Sequence, residues 1–511
     1  MQDYPWWNDS HRKLRVEAAE YTERVLVPLA EKAVLKREYP WEAARELAKT
    51  GWYGATIPKK YGGRFEELGV TGGCILAEEV GRAGALSFVF STSIVGGMQQ
   101  IVHDGTEEQK QRWLPAMARG DLIGCITMTE PYAGSDVAAI ETTAVRDGDC
   151  YIVNGVKRFQ TSAAAADLYM SYFKTSDDPA ARKSYRHLSG MIVEKGTPGF
   201  SVERVNDWLG AEGMYNCYLR FDNARVPIEN VIGGEGNGWQ VMMRGLNIER
   251  SLGAAGPLGA LREAIRYARQ HLERRVQFGQ TTGAIPSNQM KLADMYSKYQ
   301  MARLLIYYSA YCSDLGLEVP IEAALCKLYI SEAGFEIAQE AIQCMGGNGV
   351  MKIYPVERIM REMKLYQIAA GTSEVLRLLI YRMGNGIFAQ ALEAPLRMIE
   401  EETGMPLPVG VPPERKPVTG EMDILKVLAE NYRVNPGLHM TVKDIKQFLD
   451  VSDADLATGL KSLEEKGQAS TLFNRKGGVE MAKATLVGIG AANPPEYYRH
   501  IPDWVRPEDV F

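Results

Sequence analysis

The sequence predicts a mainly α-helical protein with an inserted β domain and a small module at its C-terminal end. Apolar residues recur at three- and four-residue spacing up to about residue 125 and again between 237 and 402, as in helices that bury one face. Between 126 and 236 the spacing falls to two, and Asp-Gly and Asn-Gly turns are expected to separate short β-branched runs. A helical domain, a β domain and a helical bundle therefore follow one another along the chain.

Each predicted domain has a characteristic stretch. Residues 1–125 include DSHRKLRVEAAEYTERVLVPLAEKA and PWEAARELAKTGWY, which place apolar side chains on one helical face. Residues 126–236 include ETTAVRDGDCYIVNGVKRFQTS, which alternates as strands do. Residues 237–402 include long helical stretches such as NQMKLADMYSKYQMARLLIYYSAYCSD. Helix, sheet and helix is the predicted architecture.

The C-terminal part begins with TGMPLPVGVPPERKPVTG, residues 403–420, whose five prolines predict a semi-rigid linker. Residues 421–511 then show three short helical patterns and a hairpin pattern with its turn at RKGG, an order similar to a winged helix. DNA binding is one interpretation of this module. Acidic residues outnumber basic residues from 421 onward, so docking or an oligomer contact is the favoured one.

Composition narrows the class of protein. The chain has 511 residues, 46% of them apolar and 24% charged, as in a soluble globular protein, and its net charge of -6 disfavours nucleic acid as a partner. Membrane insertion is not expected, because no apolar run reaches the roughly 20 residues that span a bilayer. The seven scattered cysteines fit free thiols in the cytoplasm, and the dispersed histidines show no metal-ligand spacing.

The strongest motif is MTEPYAGSDVAAI at residues 128–140, whose proline and small residues suit a turn that brings backbone N–H groups close to an anion. A simple turn into the β domain would explain the glycine and proline but not the whole string. Four further strings follow it in order: YIVNGVKRFQTSAAAAD, ERRVQFGQ, IQCMGGNGVMKIYPVERIMREMKLYQI and AGTSEVLRLLI. Together the five strings resemble the acyl-CoA dehydrogenase family of flavoproteins over residues 10 to 390.

This resemblance implies a fold with an N-terminal helical domain, a β-barrel-like domain and a C-terminal four-helix bundle. It also implies FAD as cofactor, an acyl-CoA substrate, a homotetramer or dimer with FAD at the subunit interface, and an electron-transferring flavoprotein as partner. The residues that it places on the flavin are Met128, Thr129, Ser135, Phe159, Thr161, Arg275, Gln277, Phe278, Gln343, Gly347, Thr372 and Glu374. Phe159 departs from the tryptophan that is usual in the family, and Thr161 is the residue expected near flavin N5.

Several of these residues have a simpler interpretation as well. Arg275, Gln277 and Phe278 would reach the flavin of the adjoining subunit together with Gln343 and Gly347, and a planar guanidinium suits a diphosphate. Arg275 is otherwise a solvated charge on a helix. Glu374 is otherwise an acid in the first turn of a helix, where it favours the positive end of the helix dipole.

The catalytic base poses a question, because most relatives carry a glutamate immediately before Gly-Thr and this chain has Ala369 and Ala370 there. In the isovaleryl-CoA and long-chain members the base lies instead on a helix of the bundle. The string LNIERSLGAAGPLG resembles that helix and makes Glu249 the predicted base, although Glu249 is otherwise an ordinary ion-paired acid. Small residues follow it, which would let a ligand approach the helix closely.

The same resemblance gives the remaining site residues. The backbone N–H of Ala370 would hold the thioester oxygen, while Ser135, Arg250 and Ala369 would lie near the substrate. Two alanines also open volume, which predicts a branched, cyclic or otherwise bulky acyl group, as in fatty acid or in aromatic or alicyclic acid degradation. The alternatives are the same scaffold used for enoyl-CoA reduction, oxidase, monooxygenase or lyase chemistry, and a catalytically silent assembly protein.

Overall fold

The structure is a computed structural model that describes residues 3–403, 415–434, 438–474 and 478–492. The chain divides into two compact units, Met1–Phe388 and Ala389–Phe511. The first unit begins with seven helices: α1 Asp9–Tyr21, α2 Val27–Lys36, α3 Trp41–Lys49, α4 Phe65–Val80, α5 Ala85–Val95, α6 Met98–Asp104 and α7 Glu107–Arg119. Capping boxes fix two of their starts, at Asn8 and at Thr106, where a side-chain oxygen accepts a bond from an otherwise unpaired N–H.

The β domain follows and has the predicted strand pattern. Its elements are β1 Gly124–Thr127, β2 Thr143–Asp147, β3 Cys150–Thr161, β4 Leu168–Lys174, a short helix α8 Pro179–Lys183, β5 Leu188–Glu194, β6 Phe200–Asn206, β7 Asn216–Pro227 and β8 Val231–Ile232. The strands form one sheet in the order β6-β7-β3-β2-β4-β5-β8, and β1 pairs in parallel with β4. The long strand β3 lies inside the sheet and carries two of the residues that the resemblance assigns to the flavin, Phe159 and Thr161.

One of the two predicted turns is wrong. The Asp-Gly pair at Gly148 does close the β2–β3 hairpin, with Asp147 opposite Cys150. The Asn-Gly pair, Asn154 and Gly155, instead lies inside β3 at a shift in its register with β7. Gly155 has φ +144, and a Cβ there would lie 2.6 Å from the Thr142 hydroxyl, so the glycine serves a bulge and a close approach of two strands.

The helical bundle completes the first unit and packs on both earlier parts. Its elements are α9 Gly238–Arg274, a small hairpin of β9 Val276–Gln277 and β10 Gln280–Thr281, α10 Pro286–Asp314, α11 Pro320–Met345, α12 Val356–Tyr366 and the part of α13 Ser373–Thr403 that precedes Ala389. One apolar core joins α1–α5 to α9–α12, and a second joins α6, α7 and α9 to one face of β4 and β5. Helix α9 therefore runs past every layer of the unit.

Two sequence expectations concern buried side chains. All seven cysteines are buried and none forms a disulfide, in agreement with the prediction of free thiols. Burial raises the pKa of five of them: Cys74, Cys125, Cys217, Cys326 and Cys344.

Within the described residues one stretch, Ala85–Asp104, has the length and mean hydropathy, 1.3, of a membrane span. The fold buries 78% of this stretch, as in a core segment.

The second unit has its own apolar core. Its elements are β11 Lys416–Pro417, α14 Glu421–Val434, β12 Met440–Thr441, α15 Val442–Phe448, β13 Leu449–Asp450, α16 Asp453–Glu465, β14 Ala469–Phe473, β15 Val479–Ala484 and α17 Leu486–Ala492. Strand β15 pairs with both β12 and β14. Most of the predicted linker and the three residues 475–477 of the predicted turn lie outside the described residues, and the winged-helix identity stays a prediction.

A buried ion pair ties the N-terminal helices to the bundle. Glu78 on α4 accepts hydrogen bonds from the Tyr299 and Tyr307 hydroxyls, at 3.0 and 2.7 Å, and from Arg303 Nε at 3.2 Å. Both charged side chains are almost fully buried, so each depends on the other for compensation. Burial alone would raise the pKa of Glu78, but Arg303 and Arg262 hold it below its ordinary value.

We predict that Glu78→Gln lowers the free energy of unfolding by about 3–5 kcal/mol, because it leaves the Arg303 charge buried without compensation. The control is Glu42→Gln, which removes an exposed pair with Lys32 and should cost at most about 1 kcal/mol. Urea denaturation followed by circular dichroism measures both variants. Equal losses in the two variants would contradict the assigned role of Glu78.

Candidate active site

Glu249 lies on α9 with its carboxyl turned into the protein. Its Oε2 atom is buried and has no hydrogen-bond partner among the described residues. Burial raises the pKa of Glu249 to about 7, against the opposing effect of the Arg250 and Lys327 charges. A carboxyl in this state exchanges a proton readily near neutral pH, as a general base must.

The loop of residues 367–372, called the oxyanion loop because it contains the predicted donor Ala370, is bonded to Arg250, the residue next to Glu249. Ala370 has φ +54, a conformation that non-glycine residues rarely adopt, and Gly371 has φ +97. Arg250 Nε donates to the Ala370 carbonyl at 3.4 Å, and Lys327 Nζ donates to the Gly371 carbonyl at 2.6 Å. The Ala370 N–H has no hydrogen-bond partner in the described part of the chain. Two cations thus hold the carbonyls of the strained turn, while the Ala370 N–H, like those of Gly371 and Thr372, has no partner among the described residues.

Lys327 is a site residue that the sequence analysis missed. It lies on α11, only 4% exposed, and burial followed by the Arg250 charge lowers its pKa to about 8. A lone lysine within the apolar stretch AALCKLYI was the available signal. Such a lysine needs a buried partner, and the partner proves to be a backbone carbonyl of the oxyanion loop.

The first group of predicted flavin residues comes together at the end of β3. The Thr129 carbonyl accepts hydrogen bonds from the Arg158 N–H at 2.9 Å and from Gln160 Nε2 at 3.0 Å. This contact places Met128 and Thr129 against the strand that carries Phe159 and Thr161. Phe159 itself has φ +63 and is 52% exposed. Its ring is therefore presented to a ligand rather than packed in the core.

A buried ion pair supports this group and was also missed. Lys157 Nζ donates to Glu130 Oε1 at 2.7 Å, to the Met128 carbonyl at 3.2 Å and to the Tyr172 carbonyl at 2.6 Å. Glu130 in turn accepts a backbone N–H bond from Glu141 at 2.6 Å. Burial lowers the pKa of Lys157 to about 8, with Glu130 opposing the shift. The pair holds the 128–130 segment against β3 and β4.

Ser135 lies further along the same segment and is exposed. The neighbouring Gly134 has no atom within 4 Å of the place where a Cβ would stand. A turn with an exposed hydroxyl and open space at a glycine suits the close approach of a phosphate.

The second group of predicted flavin residues lies at one end of the bundle. Arg275 follows α9 directly, and Phe278 sits in the β9–β10 turn with φ +50 and 93% exposure. Gln343 and Gly347, also exposed, lie where α11 ends. Within the described residues no hydrogen bond or ion pair links this group to the first one, and Arg275 has no ion-pair partner there. An unpaired guanidinium beside an exposed aromatic ring fits a diphosphate and an adenine, so the donors present suit FAD.

Thr372 and Glu374 mark the start of α13. The Thr372 hydroxyl accepts a bond from the Val375 N–H at 3.3 Å, as an N-cap does. Glu374 lies in the first turn, where backbone hydrogen bonding lowers its pKa. These positions agree with the simpler interpretation of Glu374 and leave its contact with the flavin a prediction.

A cavity elsewhere in the first unit has a volume of about 1090 Å³. It is lined by charged side chains of α1, α4 and α9 and by uncharged side chains of α10. Each of its five arginines pairs with a carboxylate: Arg12, Arg15, Arg82, Arg262 and Arg266. No charge remains for a ligand, so this cavity is a solvated depression rather than the active site.

Family models match three successive parts of the chain. The models describe the N-terminal, middle and C-terminal domains of acyl-CoA dehydrogenase and match residues 8–121, 125–224 and 236–384. An acyl-CoA dehydrogenase of Bacillus subtilis (strain 168) is 36% identical over 376 residues, which are 73% of this chain and 97% of the relative. The mitochondrial isovaleryl-CoA dehydrogenase of Pongo abelii is 37% identical over 384 residues, 75% of this chain and 90% of that protein.

The fold matches a solved structure of the same kind. Butyryl-CoA dehydrogenase from Megasphaera elsdenii is similar with a TM-score of 0.71 and 31% identity, and the match covers 76% of this chain and 100% of that one. These findings confirm the family, the fold and the FAD cofactor that the five strings predicted. The chain therefore belongs to the acyl-CoA dehydrogenase family of FAD-dependent oxidoreductases.

Proposed function

We propose that this protein removes hydrogen from Cα and Cβ of a bulky acyl-CoA thioester with Glu249 as the base. The observation that carries the proposal is the Glu249 carboxyl, whose buried oxygen is unpaired. The next residue, Arg250, bonds to the loop that has only methyl side chains at Ala369 and Ala370. A carboxylate that faces the substrate is the group that proton removal requires.

The residues of the chain have two tasks: one accepts the Cα proton, and another donates a hydrogen bond to the thioester oxygen. Glu249 takes the Cα proton, and its pKa near 7 lets a large fraction of it be ionised at neutral pH. The unpaired N–H of Ala370 donates to the thioester oxygen as that oxygen gains negative charge. FAD, when bound, supplies the acceptor for the hydrogen and electron pair that leave Cβ.

Arg250 and Lys327 act as positioning residues. By holding the carbonyls of Ala370 and Gly371 they fix the turn that aims the Ala370 N–H. Their charges also favour the ionised form of Glu249. An oxyanion donor works only when it is fixed in advance, so this support contributes to catalysis without contact with the substrate.

The flavin would be held by two sets of residues. Thr129, Phe159 and Thr161 at the end of β3 would face the ring system, with Met128 and Ser135 along the same segment. Arg275, Gln277, Phe278, Gln343 and Gly347 would reach the flavin of a second copy of the chain, because they lie apart from the first set. An electron-transferring flavoprotein is the proposed acceptor of the electrons.

The size of the acyl group follows from the small side chains around the base. Ala369 and Ala370 replace longer side chains on the loop, and Gly253, one turn beyond Glu249, has no atom within 4 Å of its absent Cβ. Space beside the reacting carbons supports a branched or cyclic acyl group.

We predict that Glu249→Gln retains FAD but reduces it about 10²–10⁴-fold more slowly with acyl-CoA, because an amide cannot accept the Cα proton. Anaerobic stopped-flow mixing with a panel of straight, branched and cyclic acyl-CoA thioesters measures the rate of flavin bleaching. The 2-enoyl product is identified by mass spectrometry.

The matched control is Glu273→Gln on the same helix, an exposed glutamate paired with Arg269. It should bleach at the wild-type rate. Near-wild-type bleaching by Glu249→Gln would remove Glu249 as the base, and bleaching followed by rapid reoxidation in air would favour an oxidase.

The pH dependence of kcat/KM should follow the ionisation of Glu249. Since the carboxylate is the active form and its pKa is raised to about 7, kcat/KM should fall about tenfold per pH unit well below 7 and level off above it. Steady-state assays between about pH 5 and 8 measure this profile. A flat profile across that range would show that a group of ordinary carboxyl pKa acts instead.

Lys327→Met should lower kcat/KM by about 10²-fold, because the loop loses a hydrogen bond and the Ala370 N–H loses its alignment. It should also move the kinetic pKa of Glu249 upward, since a nearby positive charge is removed. The other charged groups that act on Lys327 are Arg250, Glu332 and Glu374. Lys327→Arg keeps the charge and should restore the pKa, and an unchanged pH profile in Lys327→Met would contradict this role.

A further inference from the structure

The face of α9 that carries Glu249 continues to a group of hydroxyls. Glu249, Gly253 and Gly256 are four and three residues apart, so they lie on one side of the helix. At Gly253 the space beyond the helix is open. At Gly256 a Cβ would lie 2.9 Å from Ser87 Oγ, 3.5 Å from Ser91 Oγ and 3.9 Å from the Tyr366 hydroxyl. The Glu249 carboxyl, the open space at Gly253 and a cluster of three hydroxyls at Gly256 therefore follow one another along α9.

The hydroxyls beside Gly256 come from two other elements. Ser87 and Ser91 stand on α5. Tyr366 ends α12, and four residues later the Ala370 carbonyl receives the bond from Arg250. Residues 366–370 therefore run alongside α9, with Tyr366 near Gly256 and Ala370 bonded to Arg250. Seven residues of helix separate the carboxylate from the hydroxyls, or about 10 Å along the axis.

Two polar atoms at the far end have no partner. Ser91 Oγ and Trp208 Nε1 are buried and make no hydrogen bond with any described residue. The Trp208 and Tyr366 rings both pack against Phe88, with centroids 6.2 and 5.6 Å away, so they belong to the same cluster. Buried donors without partners are rare in folded proteins and are expected to be satisfied by a ligand or by water.

The charge around the cluster restricts that ligand. Burial raises the pKa of the Tyr366 hydroxyl, and so does the Glu362 carboxyl one turn earlier on α12. Glu362 itself pairs with Arg358. None of the four polar side chains of the cluster is a cation that could pair with a terminal carboxylate on the acyl group, whereas their hydrogen-bond donors suit a neutral oxygen.

We propose that the far end of the acyl pocket, formed by Ser87, Ser91, Tyr366 and Trp208, binds a hydroxyl or carbonyl oxygen carried by the acyl group away from its thioester. This inference rests on the proposed function, because it takes Glu249 as the end of the pocket where the reaction occurs. The substrate class is then an oxygenated alicyclic or branched acyl-CoA. Ser91 and Trp208 supply the hydrogen bonds that select it.

The test compares two thioesters that differ in one oxygen: cyclohexane-1-carboxyl-CoA and its 4-hydroxy derivative. Wild-type protein should reduce its flavin at least about tenfold more efficiently with the hydroxy thioester, because a pocket built to bond a hydroxyl discriminates strongly against its absence. Ser91→Ala should lower that ratio toward one. Ser93→Ala on the same helix is the control, because the Ser93 hydroxyl donates to the Val89 carbonyl at 2.7 Å, and it should keep the wild-type ratio.

A binding measurement guards against variants that fold poorly. The Glu249→Gln protein binds without turnover, so titrating it with each thioester and following the flavin spectrum gives two dissociation constants whose ratio should match the kinetic preference. Flavin reduction that depends on Glu249 but shows no preference for the hydroxyl, or a preference that survives Ser91→Ala, would overturn this inference alone. Failure of every thioester to reduce the flavin would overturn the proposed function as well.

Discussion

The proposed site depends on one buried carboxyl, whose burial opposes its negative charge and whose neighbouring cations favour it. Burial pushes the pKa of Glu249 up, and the cations Arg250 and Lys327 pull it down, which leaves it near 7. The same two cations bond to the carbonyls of Ala370 and Gly371 in the oxyanion loop. Arg250 and Lys327 therefore influence both the pKa of Glu249 and the orientation of the Ala370 N–H. A shift of either cation would change the two together.

Elsewhere in the chain buried charges serve backbone placement in the same way. Lys157 bonds to two carbonyls and to Glu130, which itself receives backbone N–H groups, so one ion pair fixes the segment that the flavin is expected to contact. Glu78 and Arg303 join α4 to α10 in the bundle. Such pairs add little net stability, but losing one partner is costly, and this makes them suited to holding a single arrangement.

Much of the fold could be predicted from the sequence because apolar residues recur every three to four positions in helices and every two positions in strands. Glu249 could be proposed as the base from the sequence because the position that usually carries the carboxylate holds Ala370. Lys327 and Lys157 could not be predicted, since a lone lysine in an apolar stretch does not reveal which carbonyl it will reach. The turn predicted at Asn154-Gly155 was wrong because an Asn-Gly pair can close a hairpin or, as here, allow a bulge inside a strand, and the sequence does not distinguish the two. The proposed pocket end at Ser91 and Trp208 could not be predicted either, because these residues are far apart in the sequence and meet only in the fold.

The buried thiols have a chemical consequence for an enzyme of this kind. The product of the proposed reaction is an α,β-unsaturated thioester, an electrophile that adds to thiolates. A cysteine reacts as its thiolate, and all seven here are buried, five of them with raised pKa values. Burial of the thiols therefore limits their reaction with such a product.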